Sequence, residues 1–141
     1  MEIEIFRAEA KTKLALPLFQ TGVQAGFPSP ADDYIDKAID LNELLIQHPA
    51  ATFFVRVLGD SMQGAGIFSG DVLVVDRSLQ ASHNKIIVAV LGGEFTVKRL
   101  KIEGGQIHLA PENPAYPILP VKDGSDFQVW GVVTYVIHKA V

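Results

Sequence analysis

The chain has 141 residues, 12 Lys and Arg against 16 Asp and Glu, 48% hydrophobic residues and no cysteine. That length suits one domain, or one domain with an appendage, and it buries roughly two-thirds of the unfolded surface, enough for a core without cross-links. The missing cysteine excludes disulfides, thiolate metal sites and a cysteine nucleophile, and a net charge of −4 leaves no broad basic face for duplex DNA.

No window reaches about 18 uncharged apolar residues, so no membrane span is expected. Glu2, Glu4, Arg7, Glu9 and Lys11 charge the start too heavily for a secretory signal, and the expected location is the cytoplasm. Residues 1–28 show no sustained helical period, and Pro17, Gly22, Gly26 and Pro28 would interrupt one. This segment reads as an extended arm. Ser29-Pro30 ahead of Ala31-Asp32-Asp33 predicts a helix start, with Ser29 as the N-cap. Asp40 predicts the cap of a second short helix in which Leu41, Leu44 and Leu45 share a face, closed at His48 by Pro49.

From Thr52 the texture changes to strands: Thr52 to Leu58, Asp71 to Asp76, Lys85 to Leu91, Glu94 to Ile102, Gln106 to Leu109, and Phe127 to Ile137 with the single tryptophan, Trp130. Gly92-Gly93 and Gly104-Gly105 read as hairpin turns. The expected fold is mainly β, a folded sheet or partly closed barrel, with short N-terminal helices and an extended N-terminal arm. No internal repeat is visible.

Without cysteine, the candidate nucleophiles are hydroxyls. Ser61, in Gly59-Asp60-Ser61-Met62, stands between a strong strand and the flexible Gly64-Ala65-Gly66. There it could present its Oγ beside backbone N–H groups, or simply belong to a polar turn. A nucleophilic serine needs a base. None of His48, His83, His108 and His138 has an acid at a spacing that suggests a triad. The Gly-Asp-Ser block also resembles that of the GDSL esterases. Their base lies in an Asp-x-x-His, whereas here Tyr135 stands three residues before His138, and the chain is short for that fold.

Lysine is the other candidate. Strict alternation over Glu94 to Leu100 sets Thr96, Lys98 and Leu100 on one face and Phe95, Val97 and Arg99 on the other, so one of two adjacent cations turns inward or to an edge. Lys98 either reaches along the rim to solvent or is held neutral beside Ser61 as a general base. Moving a lysine from about 10.4 to about 7 takes roughly 4 to 5 kcal/mol of desolvation or like-charge repulsion, which an apolar strand could supply. In the arm, Val23-Gln24-Ala25-Gly26-Phe27-Pro28 places two small residues side by side. It is a flexible linker or an extended peptide of the kind a protease cleft accepts as an added strand.

Taken in order, Ala25-Gly26, Gly59-Asp60-Ser61-Met62, Gly70-Asp71-Val72-Leu73-Val74-Val75-Asp76 and Glu94-Phe95-Thr96-Val97-Lys98-Arg99-Leu100 resemble the cleavage site and catalytic boxes of the LexA/UmuD self-cleaving proteins. The flanks Phe27 to Tyr34, Ile39 to Pro49 and Gly131-Val132-Val133 are similar to the UmuD/MucA branch, so the likeness runs through nearly the whole chain. The junction departs from the usual Cys-Gly of that branch and carries Ala-Gly, as LexA does.

The resemblance implies an SOS-response protein with Ser61 as nucleophile and Lys98 as general base, cleaving itself between Ala25 and Gly26. It implies a removable arm over residues 1–25, a linker with short helices over 26–50, and a β-rich catalytic and dimerisation domain over 51–141. A RecA filament on single-stranded DNA would stimulate cleavage. The shortened homodimer would then join a UmuC-type Y-family polymerase, and possible further replication partners, in translesion synthesis. No cofactor or metal is implied. Twenty-five residues ahead of the junction do not suffice for a helix-turn-helix domain, so sequence-specific DNA binding is not expected. Two rival readings are a non-enzymatic polymerase adaptor with an inert dyad and a signal peptidase, the latter without a membrane anchor here.

Overall fold

The computed structural model describes residues 2–9, 15–19 and 35–141. The chain divides into two compact units, one made of the first strand together with His48–Val141, the other lying within Glu9–Gln47.

In the smaller unit, β2 (Ala15–Phe19) pairs antiparallel with β3 (Ile35–Asp40), which leads into α1 (Leu41–Leu45). Pro17 is tolerated in β2 because a two-stranded ribbon consists only of edges. Asp40 caps α1 as expected, its Oδ1 accepting from the Asn42 N–H at 2.9 Å. The helix expected to begin at Ser29 starts outside the described residues, and Ile35–Asp40 is a strand instead of its continuation. Ile35 and Ile39, four apart, fit either a helical stripe or one side of a strand; the backbone partner supplied by β2 decides for the strand.

The larger unit is one antiparallel sheet built from β1 (Glu2–Arg7), β4 (Thr52–Leu58), β5 (Val72–Asp76), β6 (Ile86–Leu91), β7 (Glu94–Glu103), β8 (Gln106–Ala110), β9 (Leu119–Val121) and β10 (Phe127–Ile137). Its spatial order is β1-β4-β5-β10-β6-β7-β8-β9. The fold is therefore mainly β, as expected, but the sheet stays open, with β1 and β9 as its edges.

The beginning of the expected arm proves to be a sheet strand. Glu2-Ile3-Glu4-Ile5 alternates with period two; Ile3 and Ile5 pack on the core while Glu4 faces out toward Arg56. In β9 a proline is again admitted at an edge.

Two apolar clusters hold the sheet. One gathers Val55, Val57, Met62, Ile67, Leu73, Val75, Val88 and Val97; the other gathers Ile87, Ala89, Leu100, Leu109 and Val132. Val88 belongs to the first and its neighbours Ile87 and Ala89 to the second, so β6 is buried on both faces and its sequence is a continuous apolar run. The β6–β7 and β7–β8 hairpins turn at Gly92-Gly93 (φ 59° and 80°) and Gly104-Gly105 (φ 59° and 77°), the positive-φ pairs that a two-residue hairpin requires.

Buried Asp76 ends β5 and accepts from His48 Nδ1, from the Ser78 N–H and from the Ser78 hydroxyl. Burial pushes its carboxyl upward, yet the hydrogen bonds from Ser78 and His48 outweigh this and hold it below the usual aspartate value.

Candidate active site

Ser61 lies in the turn that leaves β4. Gly59 has φ 110°, a backbone angle that other residues rarely adopt, and it redirects the chain at the strand end. Immediately after Ser61, Met62 is fully buried in the first apolar cluster and anchors the turn. Ser61 itself is 2% exposed.

Lys98 comes from the middle of β7, paired across the ladder with Ile87 of β6. Of the two adjacent cations, Lys98 is the one buried, at 7% exposure, whereas Arg99 forms an ion pair with Glu112. The Lys98 Nζ lies 3.5 Å from the Ser61 Oγ, 2.9 Å from the Thr96 Oγ1 and 3.2 Å from the Val97 carbonyl oxygen. Among the described residues, no carboxylate forms an ion pair with it. Burial without a counter-charge lowers its pKa from the ordinary 10.5.

The surroundings of this nitrogen are oxygen atoms of neutral groups. Thr96 Oγ1, the Val97 carbonyl and Ser61 Oγ surround it as three oxygen partners; in the uncharged amine two of them take its N–H bonds, and the lone pair can then face the Ser61 hydroxyl. Among the described residues, the backbone N–H groups of Ser61 and Met62 donate to no acceptor.

The fold brings Ser61 and Lys98 together from positions 37 residues apart. The junction Ala25-Gly26 lies outside the described residues. His48 and His138 pair with Asp76 and Asp71, and the His83 Nδ1 accepts from the Ile102 N–H, so none of these three bonds with Ser61. Thr96 was not singled out by residue type; its place two positions before Lys98, on the same strand face, was the available signal. The contacts of Glu112, Asn113 and Tyr116 to the Ser61 turn carried no sequence signal. Two of them run through Glu112 backbone atoms, which any residue supplies.

A model of the family described as Peptidase S24-like matches residues 17–134. The SamA protein of Salmonella typhimurium strain LT2 is 50% identical over 123 residues, covering 87% of this chain and 85% of its own length. The MucA protein of Escherichia coli is 42% identical over 137 residues, 96% of this chain and 93% of the relative. The LexA repressor of Paracidovorax citrulli is 41% identical over 128 residues, which make up 91% of this chain but 56% of the repressor.

Proposed function

Because the chain belongs to the Peptidase S24-like family, within its UmuD group, we propose that it is a self-processing serine endopeptidase of SOS mutagenesis that cleaves its own Ala25–Gly26 bond. The observation that carries this reading is the buried Lys98 amine 3.5 Å from the Ser61 hydroxyl. The Ser61 Oγ attacks the Ala25 carbonyl carbon as Lys98 takes the hydroxyl proton, and the oxyanion forms beside the N–H groups of Ser61 and Met62. The Ala25–Gly26 bond breaks as Lys98 returns the proton to the Gly26 amine. Water, deprotonated by Lys98, then hydrolyses the ester, releasing the Ala25 carboxylate and regenerating Ser61.

On this reading residues 1–25 are a removable arm, residues 26–50 a linker, and residues 51–141 the catalytic and dimerisation domain. A RecA filament on single-stranded DNA stimulates cleavage by favouring the docked pose of the junction, with no added catalytic group. The shortened homodimer serves as accessory subunit to a UmuC-type translesion polymerase.

Intact-mass analysis after alkaline incubation, with and without a RecA filament at neutral pH, tests this proposal. Two fragments separated at Ala25–Gly26 are expected from the natural chain and none from Ser61→Ala or Lys98→Ala. Unimpaired cleavage in either variant would refute the dyad. An uncut natural chain under every condition would favour a non-enzymatic adaptor.

A further inference from the structure

We propose that the segment from Glu112 to Tyr116 is a strap that positions Ser61, with Tyr116 as the positioning residue that fixes it through Asp60. This inference rests on the reading of Ser61 as the nucleophile.

The strap follows β8 and brackets the nucleophile turn from both sides. The Glu112 N–H donates to the Ser61 carbonyl oxygen at 2.9 Å, and the Glu112 carbonyl accepts from the Gly64 N–H at 2.7 Å. The approach at Gly64 is close enough that a Cβ there would sit 2.7 Å from the Glu112 oxygen, so only glycine leaves room. The residue before the nucleophile is held twice more. Asn113 Nδ2 donates to the Asp60 carbonyl oxygen at 2.9 Å, and the Tyr116 hydroxyl donates to the Asp60 carboxylate.

The strap is fastened in turn to the strand that carries the base. The Glu112 carboxylate pairs with Arg99, the neighbour of Lys98 on β7. Lys98 and Arg99 project from opposite faces of one strand, so a single β-strand sets the amine directly and the serine turn through Glu112. Within the strap, Asn113 orders the backbone by accepting from the Ala115 N–H at its Oδ1 and from the Tyr116 N–H at its carbonyl.

What this arrangement supplies is the direction of the Oγ. A buried serine whose own carbonyl and whose preceding residue are both tied to a fixed strap has little freedom to swing away from the amine 3.5 Å off. The hydrogen bond to Asp60, reinforced by the carboxylate charge, raises the Tyr116 phenol above its ordinary value.

The test uses the full-length chain and two readouts: self-cleavage, and labelling of Ser61 by a serine-directed fluorophosphonate, which needs the dyad but not the junction. Tyr116→Phe removes one exposed hydroxyl and keeps the ring. It is expected to slow both reactions by about five- to tenfold, the scale of one ordinary hydrogen bond at an exposed position. The midpoint of the pH–rate profile and the melting temperature should stay in place. Asp60→Ala is expected to slow both reactions at least as much, and adding Tyr116→Phe to it should cost nothing further.

Natural rates in Tyr116→Phe would overturn the strap, as would additive losses in the double variant. A moved pH midpoint would overturn it too, since Tyr116 would then act on protonation instead of position. Failure of the natural chain to label, with Ser61→Ala equally unlabelled, would refute the nucleophile reading itself and is thereby told apart from failure of the strap.

Discussion

Lys98 is a lysine kept in a place that favours its uncharged form, and that preference has two measurable signs. On the proposed reading, a base with a lowered pKa is expected to make the self-cleavage rate climb with pH and level off once Lys98 is deprotonated, at a midpoint below 10.5. Stability carries the second mark. Below the folded-state value the protonated amine is charged in both states, and the fold bears the whole cost of burying it. Between the folded and unfolded values the unfolded chain binds the extra proton, so stability rises with pH. Lys98→Met should therefore be more stable than the natural chain near neutrality by about 1 to 3 kcal/mol, an advantage that shrinks as pH approaches 10.5. Urea unfolding of both chains across pH 6 to 10.5 checks this; an advantage that grew with pH would contradict it. Ser61 and Lys98 were legible in the sequence because residue type, flanking glycines and strand alternation all bear on them. The two histidine–aspartate pairs were not, since His48–Asp76 and His138–Asp71 join residues 28 and 67 apart and no local pattern records such closure.

Strands differ in how much of themselves they write into the sequence. β4 through β8 and β10 announce themselves by β-branched and aromatic runs punctuated with glycine, and their observed bounds fall within a residue of those read from the sequence. β1 alternates charge with isoleucine and β9 centres on a proline, so neither resembles a buried strand; both lie at sheet edges, where such residues are admissible. β10 holds another constraint in Gly131. A Cβ there would stand 2.5 Å from the Val75 Cγ1, inside the first apolar cluster, so β10 approaches β5 more closely than any side chain permits. Gly131→Ala is expected to cost about 2 kcal/mol by overpacking. Pairing it with Val75→Ala should recover part of that loss, read as the shift in urea midpoint at constant slope. Simple addition of the two penalties would show that the crowding lies elsewhere.

For the molecule as a whole, the decisive feature is that the sheet does not close. Its outermost strand on one side is β1, six residues long, matched residue for residue to β4 from Glu2 opposite Leu58 to Arg7 opposite Phe53. Deleting residues 1–8 removes the packing of Ile3 and Ile5 and leaves one flank of β4 without its ladder partner. The expected result is a loss of about 2 to 4 kcal/mol in urea unfolding, together with raised light scattering as bare β4 edges meet. A shortened chain of unchanged stability and scattering would show that β1 contributes little to the sheet.

The position of β1 gives a peptide-bond break downstream of it a thermodynamic meaning of its own. While the chain is intact, β1 faces β4 at the effective concentration of a tether, of order millimolar, and returns each time it frays. After scission the same six-residue strand is a separate solute, and dilution governs whether it comes back. The non-covalent pairing is identical before and after the break, yet only one of the two states refills its own edge. A cut chain would thus retain a record of the event, erased by no reversal of conditions, only by synthesis of new protein.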